Sequence, residues 1–404
     1  MLSSWKSVVV VGFVSYWVYS HQHALKAQLL SKDLPRLYDA GAECSIVKDK
    51  HANTRFKFCE DGVVVSPGIS IFSCDPGRLK WNTVMGPMID PNPRGGLWAV
   101  HYDSNSVTQG PYRLDLNYFS PNVDFHPLGI EVTPSAEEPR VLVINHKRDG
   151  PTIEVFRIYF SSETGMLSLE YENTLQHPSI TAPNAISAVS DQAFILSQDH
   201  RFTYRLGKPL NMFLPLLETF FALPLGRVNL VEFDTVDGIR KVHTLKSGIP
   251  FANGVALSDD SSTLAVASTN RAEVQLYAWN QNSIEYVRAI KVPFGPDNIA
   301  FAGDSLLVAG HPHLPSFMAV KKGKTHTSPS WVSSIAPAVF DETGAGEDSW
   351  ISRVARGARV SDILKSDGSF LTSSSGAFAD MDMETMFVVG LYDGNGVAKC
   401  RVVT

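Results

Sequence analysis

The chain has few cysteines and lacks the short motifs of several common catalytic centres. Its 404 residues include 4 cysteines and no C-x-x-C pair, which disfavours a zinc site built from thiolates. Neither a G-x-S-x-G nor an H-E-x-x-H sequence occurs, so serine-hydrolase and zincin chemistry have no support. No N-x-[ST] acceptor occurs either, so glycosylation gives no indication of the route that the protein takes.

Positive charge is also scarce. The 35 Lys and Arg residues are outnumbered by 41 Asp and Glu residues, which gives a net charge of −6. A basic footprint for nucleic acid is therefore missing, and we predict no nucleic-acid partner. The remaining composition, 44% hydrophobic with 24 Pro and 29 Gly, is that of an ordinary globular protein with ample material for a core.

The apolar run near the N-terminus is short. Residues 7–19 carry no charge and follow Lys6. As a helix, this run would be roughly 20 Å long, less than the ~30 Å hydrocarbon core of a bilayer. Such a length is typical of a signal-peptide core or a marginal anchor. We predict that residues 1–36 are a signal or anchor segment with a linker, which directs the protein to the secretory pathway and a membrane-associated or extracellular location. A buried N-terminal strand is the alternative.

From about residue 55 onward, the sequence predicts an all-β fold. Short β-branched or aromatic runs alternate with clusters of Gly, Pro, Asp and Ser, and long helical patterns are few. Segments 184–198, 253–269 and 297–311 resemble one another, with 60–74 as a looser copy. Each predicts a strand, a polar turn and a second strand. This repetition favours a single domain over residues 37–404 folded as a six-bladed β-propeller; a β-sandwich with insertions is the alternative.

Oxygen-bearing side chains stand at the entrance of the repeated strands. These residues are Glu60, Asp61, Asn184, Asn253, Asp297 and Asn298. Calcium takes six to eight oxygen ligands and accepts carboxylates and amides alike. If the strand entrances converge, the pattern predicts a calcium ion at the centre of the propeller.

The cysteines lie at informative positions. Cys44 is near the start of the predicted domain and Cys400 is near its end. A ring-shaped fold has to join its first and last segments, so we predict a Cys44–Cys400 disulfide. Cys59 and Cys74 either pair across a hairpin or remain thiols, and the sequence does not decide between them.

One apolar insertion departs from the strand pattern. Residues 211–226 are strongly apolar and are interrupted by Pro215 and Pro224. They predict either a short buried helix or an interfacial helix beside a site for apolar substrates. Together with residues 7–19, they make membrane association an expectation.

Six segments resemble the serum paraoxonase/arylesterase family, whose members are six-bladed propeller hydrolases with calcium in the central tunnel. The segments are CEDGVVV (59–65), HPLGIEV (126–132), VLVINHK (141–147), FANGVALS (251–258), PDNIAF (296–301) and AGHPH (309–313). The resemblance runs from about residue 40 to the end, and HQHALKAQ after the apolar run resembles the family's retained leader. It implies that the ligands of a catalytic calcium are Glu60, Asn184, Asn253, Asp297 and Asn298.

The resemblance to a second, structural calcium site is incomplete. Asp61 and the carbonyl group of Ile130 match two ligands of that site. A further carboxylate should follow Asn184, where this chain has Ala185. We expect this site to be weak, reshaped or empty.

The chain also departs from the family's catalytic pattern. A histidine should stand immediately before Gly-Ile of the second motif, but this residue is Leu128. Its partner histidine is matched by His146, and another cavity histidine is matched by His311. His126 lies two positions before Leu128, on the same side of an extended strand, and is our candidate for a replacement.

The resemblance implies a calcium-dependent hydrolase of lactones or aryl esters that takes small apolar substrates. Calcium would polarise the ester carbonyl, and a histidine would deprotonate the attacking water. A non-catalytic propeller that binds a ligand or a protein is the alternative, and Leu128 favours it. A different reaction, as in relatives resembling strictosidine synthase, is disfavoured by the complete set of oxygen ligands.

Overall fold

The computed structural model of this chain describes residues 2–49, 55–84, 86–103, 110–135, 137–161, 165–338 and 349–402. Across these residues, six β-sheets are arranged as the blades of a β-propeller, which confirms the predicted fold class. The first strand, β1 (Ser45–Val47), belongs to the last blade. The domain boundary at residues 36 and 37 stays a prediction.

The first three blades follow one another along the chain. Blade 1 contains β2 (Cys59–Ser66), β3 (Ile69–Cys74), β4 (Gly96–His101) and β5 (Gly110–Arg113). Blade 2 contains β6 (Leu116–Asn117), β7 (Pro127–Val132), β8 (Arg140–Lys147), β9 (Gly150–Phe160) and β10 (Leu167–Leu175). Blade 3 contains β11 (Pro183–Ser190), β12 (Ala193–Gln198), β13 (Gly226–Asp234) and β14 (Gly238–Ile249).

The other three blades complete the ring. Blade 4 contains β15 (Ala252–Leu257), β16 (Thr263–Ser268), β17 (Glu273–Asn280) and β18 (Ser283–Lys291). Blade 5 contains β19 (Gly295–Ala302), β20 (Ser305–His311), β21 (Ser330–Pro337) and β22 (Ala358–Ser366). Blade 6 contains β23 (Ser374–Asp380), β24 (Thr385–Gly390), β25 (Val397–Arg401) and β1.

Helices lie outside the sheets. They are α1 (Leu2–Leu29), α2 (Leu210–Phe220), α3 (Leu314–Lys321) and α4 (Trp350–Arg356), with a 3₁₀ turn at Thr269–Arg271. Helix α2 connects β12 to β13, and helix α3 connects β20 to β21. None of the helices in the described part of the chain is both long and apolar enough to cross a membrane.

The ring is closed by the two ends of the chain. Strand β1 pairs antiparallel with β25, with Ile46 opposite Ala398. The predicted Cys44–Cys400 disulfide is present beside this pairing. Cys59 and Cys74, whose state the sequence left open, form a second disulfide between β2 and β3. Pairing and covalent closure therefore hold the first and last strands together.

The hydrophobic core is divided among the spaces between neighbouring blades. Within the described residues, six of the buried apolar clusters each join two adjacent blades. Between blades 6 and 1, for example, the rings of Phe72 and Phe387 meet edge to face at 5.2 Å and both are fully buried. Burying a side chain of this size contributes about 1.5–3 kcal/mol. Each blade thus depends on both of its neighbours.

Helix α1 is longer than the apolar run from which a helix was predicted. It continues past residue 19 because its last turns pack against blade 4, where Ala24 and Ala27 form a buried cluster with Ala272. The side chain of Gln28 donates a hydrogen bond to the carbonyl oxygen of Thr269 at 2.9 Å. The C-terminal part of α1 is therefore part of the packed structure, whereas the side chains of residues 7–10 lie outside the described residues.

Helix α2 has an unusual distribution of polarity. Its polar residues Asn211 and Glu218 are buried, and both carboxylate oxygens of Glu218 accept backbone N–H groups of the preceding loop. Apolar side chains of the same helix face outward, with Phe213 59% and Phe220 66% exposed. The insertion is thus not a buried helix; it presents an apolar face to the exterior.

Candidate functional site

Five oxygen-bearing residues singled out in the sequence lie together at one end of the propeller axis. Each belongs to the innermost strand of its blade: Glu60 in β2, Asn184 in β11, Asn253 in β15, and Asp297 and Asn298 in β19. Their exposed fractions range from 2% to 8%. All except Asn298 line one cavity of about 120 Å³, and Asn298 reaches it by donating a hydrogen bond from Nδ2 to Oε1 of Glu60 at 2.8 Å. The structure therefore brings the five residues into one site.

Irregular strand pairing turns these side chains toward the axis. In each of the four inner strands that carry these residues, the pairing with the next strand is interrupted where the oxygen-bearing residue lies. The interruptions fall between Cys59 and Asp61, Pro183 and Ile186, Ala252 and Val255, and Pro296 and Ile299. Such bulges bend a strand and redirect a side chain. Neighbouring inner strands also approach closely, since a Cβ atom on Gly254 would lie 2.6 Å from the carbonyl oxygen of Asp297.

Four side-chain oxygens at this site are buried without any hydrogen-bond donor among the described residues. They are Oε2 of Glu60 and the Oδ1 atoms of Asn184, Asn253 and Asn298. The amide nitrogens of these residues already have acceptors: Nδ2 of Asn298 donates to Glu60, as described above, and Nδ2 of Asn253 donates to Oγ1 of Thr269 at 3.0 Å. A buried acceptor without a partner costs about 1–3 kcal/mol, so four together demand an explanation. This arrangement of acceptors suits a hard cation.

The electrostatics of the site also favour a bound cation. Burial raises the pKa of Glu60 well above its usual value, and the carboxylates of Asp61 and Asp297 raise it further. Within the described residues, His, Cys, Asp and Glu side chains alone do not form a metal-binding group of three or more. A cation here would therefore depend on the asparagine oxygens as well as the two carboxylates.

Asp199 is a further carboxylate that the sequence analysis missed. It follows β12, lines the same cavity, and lies with Oδ2 3.4 Å from Nδ2 of Asn184. Its Oδ1 atom is buried, lies 3.5 Å from Nδ1 of His200, and has no closer hydrogen-bond partner among the described residues. It was overlooked because it stands at the end of the second strand of its blade, whereas the repeated signal marks the beginning of the first.

His146 lies in the cavity wall with both ring nitrogens engaged. Its Nε2 donates to the carbonyl oxygen of Pro183 at 2.9 Å, and its Nδ1 therefore accepts the hydroxyl group of Thr83. Burial, and after it the neighbouring Arg205 guanidinium, lowers the pKa of His146 to about 3. The ring is a neutral, fixed part of the wall.

His126 has a different environment. Its Nδ1 lies 2.9 Å from Oδ2 of Asp75, while its Nε2 is buried and has no hydrogen-bond partner among the described residues. The ring stacks on Trp81 with 5.3 Å between centroids. Asp75 is itself held by the backbone N–H of Gly77, which donates to Oδ1 at 2.8 Å. Asp75, His126 and Trp81 all line the cavity, so the carboxylate orients an imidazole whose second nitrogen is free.

His311 is oriented by one of the axial carboxylates. Its Nε2 lies 3.0 Å from Oδ2 of Asp297, and its ring packs against Phe317 with 4.1 Å between centroids. The Nδ1 atom is buried and lacks a partner within the described residues. This histidine therefore shares its carboxylate with the cluster of axial oxygens.

The residues matched to a second calcium site lie further along the axis. Asp61 accepts the backbone N–H groups of Gly62 at 2.9 Å and Ile130 at 3.3 Å. With Ala185 and Glu131 it lines a separate cavity of about 320 Å³. Burial raises the pKa of Asp61 to about 7 and that of Glu131 to about 8. Asp61 and Glu131 therefore share this cavity, and the carboxylate that the resemblance implies after Asn184 is replaced by Ala185.

Comparisons with known proteins bear on the use of this site. The family model described as arylesterase matches residues 77–345, about two thirds of the chain. Serum paraoxonase/arylesterase 2 of Bos taurus is 27% identical over 291 residues, which cover 70% of this chain and 71% of the relative. Serum paraoxonase/arylesterase 1 of Mus musculus is 24% identical over 278 residues, which cover 67% of this chain and 69% of the relative.

A third relative and a solved structure extend the comparison. Serum paraoxonase/lactonase 3 of Oryctolagus cuniculus is 24% identical over 258 residues, covering 63% of this chain and 66% of the relative. The PQQ domain of a pyranose dehydrogenase from Coprinopsis cinerea superposes with a TM-score of 0.51 at 11% identity, over 93% of this chain and all of that chain. At this identity, the superposition concerns the fold alone.

The neutral state of His146 has a consequence for stability at acidic pH. Its pKa of about 3 in the folded protein lies below ~6.5 for an unfolded chain, so the unfolded state binds a proton first as the pH falls. Between pH 7 and pH 5 this residue should therefore remove about 2 kcal/mol from the free energy of unfolding. We expect His146→Gln to lose less stability over this interval than the parent protein, as measured by urea denaturation at both pH values. An equal loss in both proteins would contradict the assignment of a neutral ring.

Proposed function

The chain belongs to the arylesterase family, and we propose on that premise that it is a calcium-dependent hydrolase of carboxylic esters, specifically lactones or aryl esters. The substrate class follows the names of its relatives, which include arylesterase and lactonase activities. The arguments for calcium and for the catalytic residues come from the cavity itself.

The observation that carries the proposal is the convergence of unpaired buried oxygens at the axis. Four acceptors lack donors, and two carboxylates, Glu60 and Asp297, supply a charge that matches a divalent cation. Hard oxygen ligands exclude the softer metals, and the number of available oxygens favours calcium over magnesium. Calcium would be held by Glu60, Asn184, Asn253, Asp297 and Asn298. When bound, it would polarise the ester carbonyl and stabilise the negative charge that develops on its oxygen.

The wall of the cavity is suited to an apolar substrate. Leu128 stands where the family resemblance implies a histidine, and Phe251, Leu314 and Phe317 line other parts of the same cavity. These side chains can exclude bulk water from the reacting ester and pack against an aromatic or aliphatic group. Leu128 therefore belongs to the substrate-binding wall.

Of the three candidate histidines, His126 is best placed to act as the general base. His146 has both nitrogens occupied. His311 depends on Asp297, and a cation bound to that carboxylate would make the imidazole less basic. His126 has its own carboxylate, Asp75, and a free Nε2 that lines the cavity. We therefore assign His311 the role of holding Asp297 in position.

The chemical step is then hydrolysis by an activated water molecule. Nε2 of His126 takes a proton from water as the water oxygen forms a bond to the carbonyl carbon. Asp75 holds the Nδ1 proton and stabilises the resulting imidazolium. The carbon–oxygen bond to the leaving group breaks, and the proton on Nε2 passes to the departing oxygen. The products are a carboxylic acid and an alcohol or phenol, joined in one molecule when the substrate is a lactone.

A second calcium ion is not part of the proposal for this chain. Asp61 already accepts two backbone N–H groups, and Ala185 contributes no ligand. We infer that this part of the axis has been reshaped and that Glu131 supplies a carboxylate in place of the expected one without restoring the full set.

The protein is also proposed to enter the secretory pathway and to associate with membranes. Two disulfides suit an oxidising compartment. Helix α2 follows β12 in blade 3, and the cavity residue Asp75 follows β3 in blade 1. Both connections leave the second strand of a blade at the same end of the propeller. The outward apolar face of α2 therefore lies at the end where the cavity opens. Trp17 of α1 stacks on Phe220 at 6.0 Å, which extends this face. An interfacial position would bring the cavity close to apolar esters dissolved in lipid.

Calcium dependence is tested by chelation and by neutralising the axial carboxylates. The full chain should hydrolyse phenyl acetate or a small lactone in the presence of calcium, lose this activity on chelation, and regain it when calcium is added. Glu60→Gln and Asp297→Asn should each lower kcat/KM by about a hundredfold or more, because the stabilisation of the developing oxyanion is lost. Both should stay folded, since each relieves repulsion between buried carboxylates.

The matched control is Glu232→Gln, which removes one carboxylate from an exposed ion pair with Lys241 in blade 3. It should change neither activity nor the increase in Tm on adding calcium. A folded parent protein that is stabilised by calcium but hydrolyses none of the esters would overturn the catalytic proposal and leave the non-catalytic propeller. An active protein that is indifferent to chelation would overturn the role of calcium alone.

The Asp75–His126 pair is tested by its separate effects on kcat and KM. His126→Ala should lower kcat by about a hundredfold or more with little change in KM, since a general base contributes to the transition state. Added imidazole should restore part of the activity. Asp75→Asn should lower kcat comparably, because it no longer fixes the tautomer, while Asp75→Glu should retain more activity.

His313→Gln serves as the control, because His313 hydrogen-bonds Ser316 at the start of α3. It should leave kcat unchanged. A larger loss of kcat in His146→Gln or His311→Gln than in His126→Ala would contradict the assignment of the base.

Membrane association is tested with the exposed face of α2. Phe213→Ser should lower binding to phosphatidylcholine vesicles by about tenfold, the effect of removing one buried aromatic side chain from the lipid interface. Phe160→Ser is the control and should have no effect on vesicle binding. Phe160 is 47% exposed and is the last residue of β9, at the end of blade 2 away from the cavity. Equal behaviour of the two variants in vesicle co-sedimentation would count against an interfacial role for α2.

A further inference from the structure

Three arginines meet in a pocket on blade 1, outside the axial cavity. The pocket has a volume of about 500 Å³ and is lined by Arg55, Asn92, Pro93, Arg94 and Arg113. No carboxylate of the residues that the structure describes lines it. We call it the arginine pocket. It stands out because the chain as a whole is acidic, with a net charge of −6.

These guanidinium groups repel one another, and the carboxylates that act on them, Asp115 on Arg113 and Asp124 on Arg94, do so without forming an ion pair. None of the three forms an ion pair within the described residues. Asp124, which is close enough to influence Arg94, is instead paired with Arg148. Burial and then Arg113 lower the pKa of Arg94, while burial and then Arg55 lower that of Arg113. Holding like charges together costs free energy unless a bound anion offsets the repulsion.

Two of the arginines are fixed in place by the backbone. Nη2 of Arg113 donates to the carbonyl oxygen of Gly95 at 3.1 Å, and Nη2 of Arg94 donates to that of Ser120 at 3.4 Å. Arg113 also lies directly over Gly96, where a Cβ atom would come within 2.8 Å of its Nε. The glycine thus leaves room for the guanidinium. Preorganised guanidinium groups lose less entropy when they bind an anion.

We propose that the arginine pocket is a binding site for a tetrahedral oxyanion, a phosphate or sulfate group. Arginine presents a planar fork of donors that matches two oxygens of such a group. Asn92 also lines the pocket; one N–H of its side-chain amide donates to Oδ1 of Asp90 at 3.2 Å, which leaves the second N–H for an anion. This site is independent of the ester hydrolysis proposed above.

The location suggests two sources for the oxyanion. Arg113 is opposite Trp98 near the start of β4, at the same end of the sheet as the Cys59–Cys74 pairing and the axial cavity. The apolar face of α2 is at this end too. The group is therefore either a soluble anion or the phosphate of a lipid headgroup at a membrane surface.

The soluble source is tested by titrating the full chain with inorganic sulfate, and then phosphate, in a calorimeter at low ionic strength. Arg113→Gln should weaken binding by about tenfold or more, the loss of a charge-assisted pair of hydrogen bonds. Arg240→Gln is the matched control, since Arg240 is also exposed but pairs with Asp234 at a hairpin in blade 3. It should bind the anions as the parent protein does.

A second variant tests geometry without removing charge. Gly96→Ala should push the flexible end of Arg113 aside, because the atoms nearest to the new Cβ all belong to that side chain. We expect it to weaken anion binding severalfold while the Tm and the ester hydrolysis stay close to those of the parent.

The lipid source is tested by co-sedimentation with phosphatidylcholine vesicles, with and without phosphatidic acid. If the pocket takes a headgroup, phosphatidic acid should strengthen binding in the parent and in Arg240→Gln, but not in Arg113→Gln. Binding of soluble anions alone, lost in Arg113→Gln, would assign the soluble source. If neither source binds, or if Arg113→Gln and Arg240→Gln weaken binding equally, the proposal is overturned, since only diffuse surface charge would then remain.

Discussion

The crowding of buried acceptors at the propeller axis is the constraint on which the candidate site depends. Innermost strands from different blades bring carboxylates and amides within one small cavity, and the strand irregularities that turn them inward recur at each entrance. In the absence of a cation this arrangement is unfavourable, because oxygens repel one another and lack donors. The clusters between blades must supply the stability that holds the oxygens in place.

The sequence was most informative where its signal was local and repeated. Short strands with polar entrances predicted the propeller and the residues around its axis, and the terminal positions of Cys44 and Cys400 predicted the closing disulfide. Contacts between distant segments that carry no such positional signal were not predictable. Asp75 follows β3 and meets His126 only through the packing of blades 1 and 2, and no sequence pattern joins the two. For α2 the sequence left a buried helix and an interfacial helix open, because composition does not reveal which side of a helix packs inward; the structure shows the outward apolar face.

In the proposed mechanism, Leu128 stands where the family resemblance implies a histidine, and His126 takes the role of the base. His126 and Leu128 stand two positions apart at the beginning of β7, and both line the cavity. Because side chains alternate along a strand, a shift by two residues preserves the side on which a group lies. Asp75 then provides the partner that His146, fixed by Thr83 and Pro183, does not. An imidazole can thus reach the same cavity from a different residue with a different orienting group.

The closure of the ring sets an order of events during synthesis. Strand β1 is made early, yet its partner β25 lies 356 residues away at the position of the paired cysteines. Blade 6 therefore stays incomplete until β25 has been made, whereas the hairpin joined by Cys59 and Cys74 pairs residues only 15 positions apart. Non-local pairing of this kind is slow and leaves strand edges open to association. A chain truncated before β25 lacks both the strand pairing and the disulfide that join blade 6 to β1, and its ring stays open.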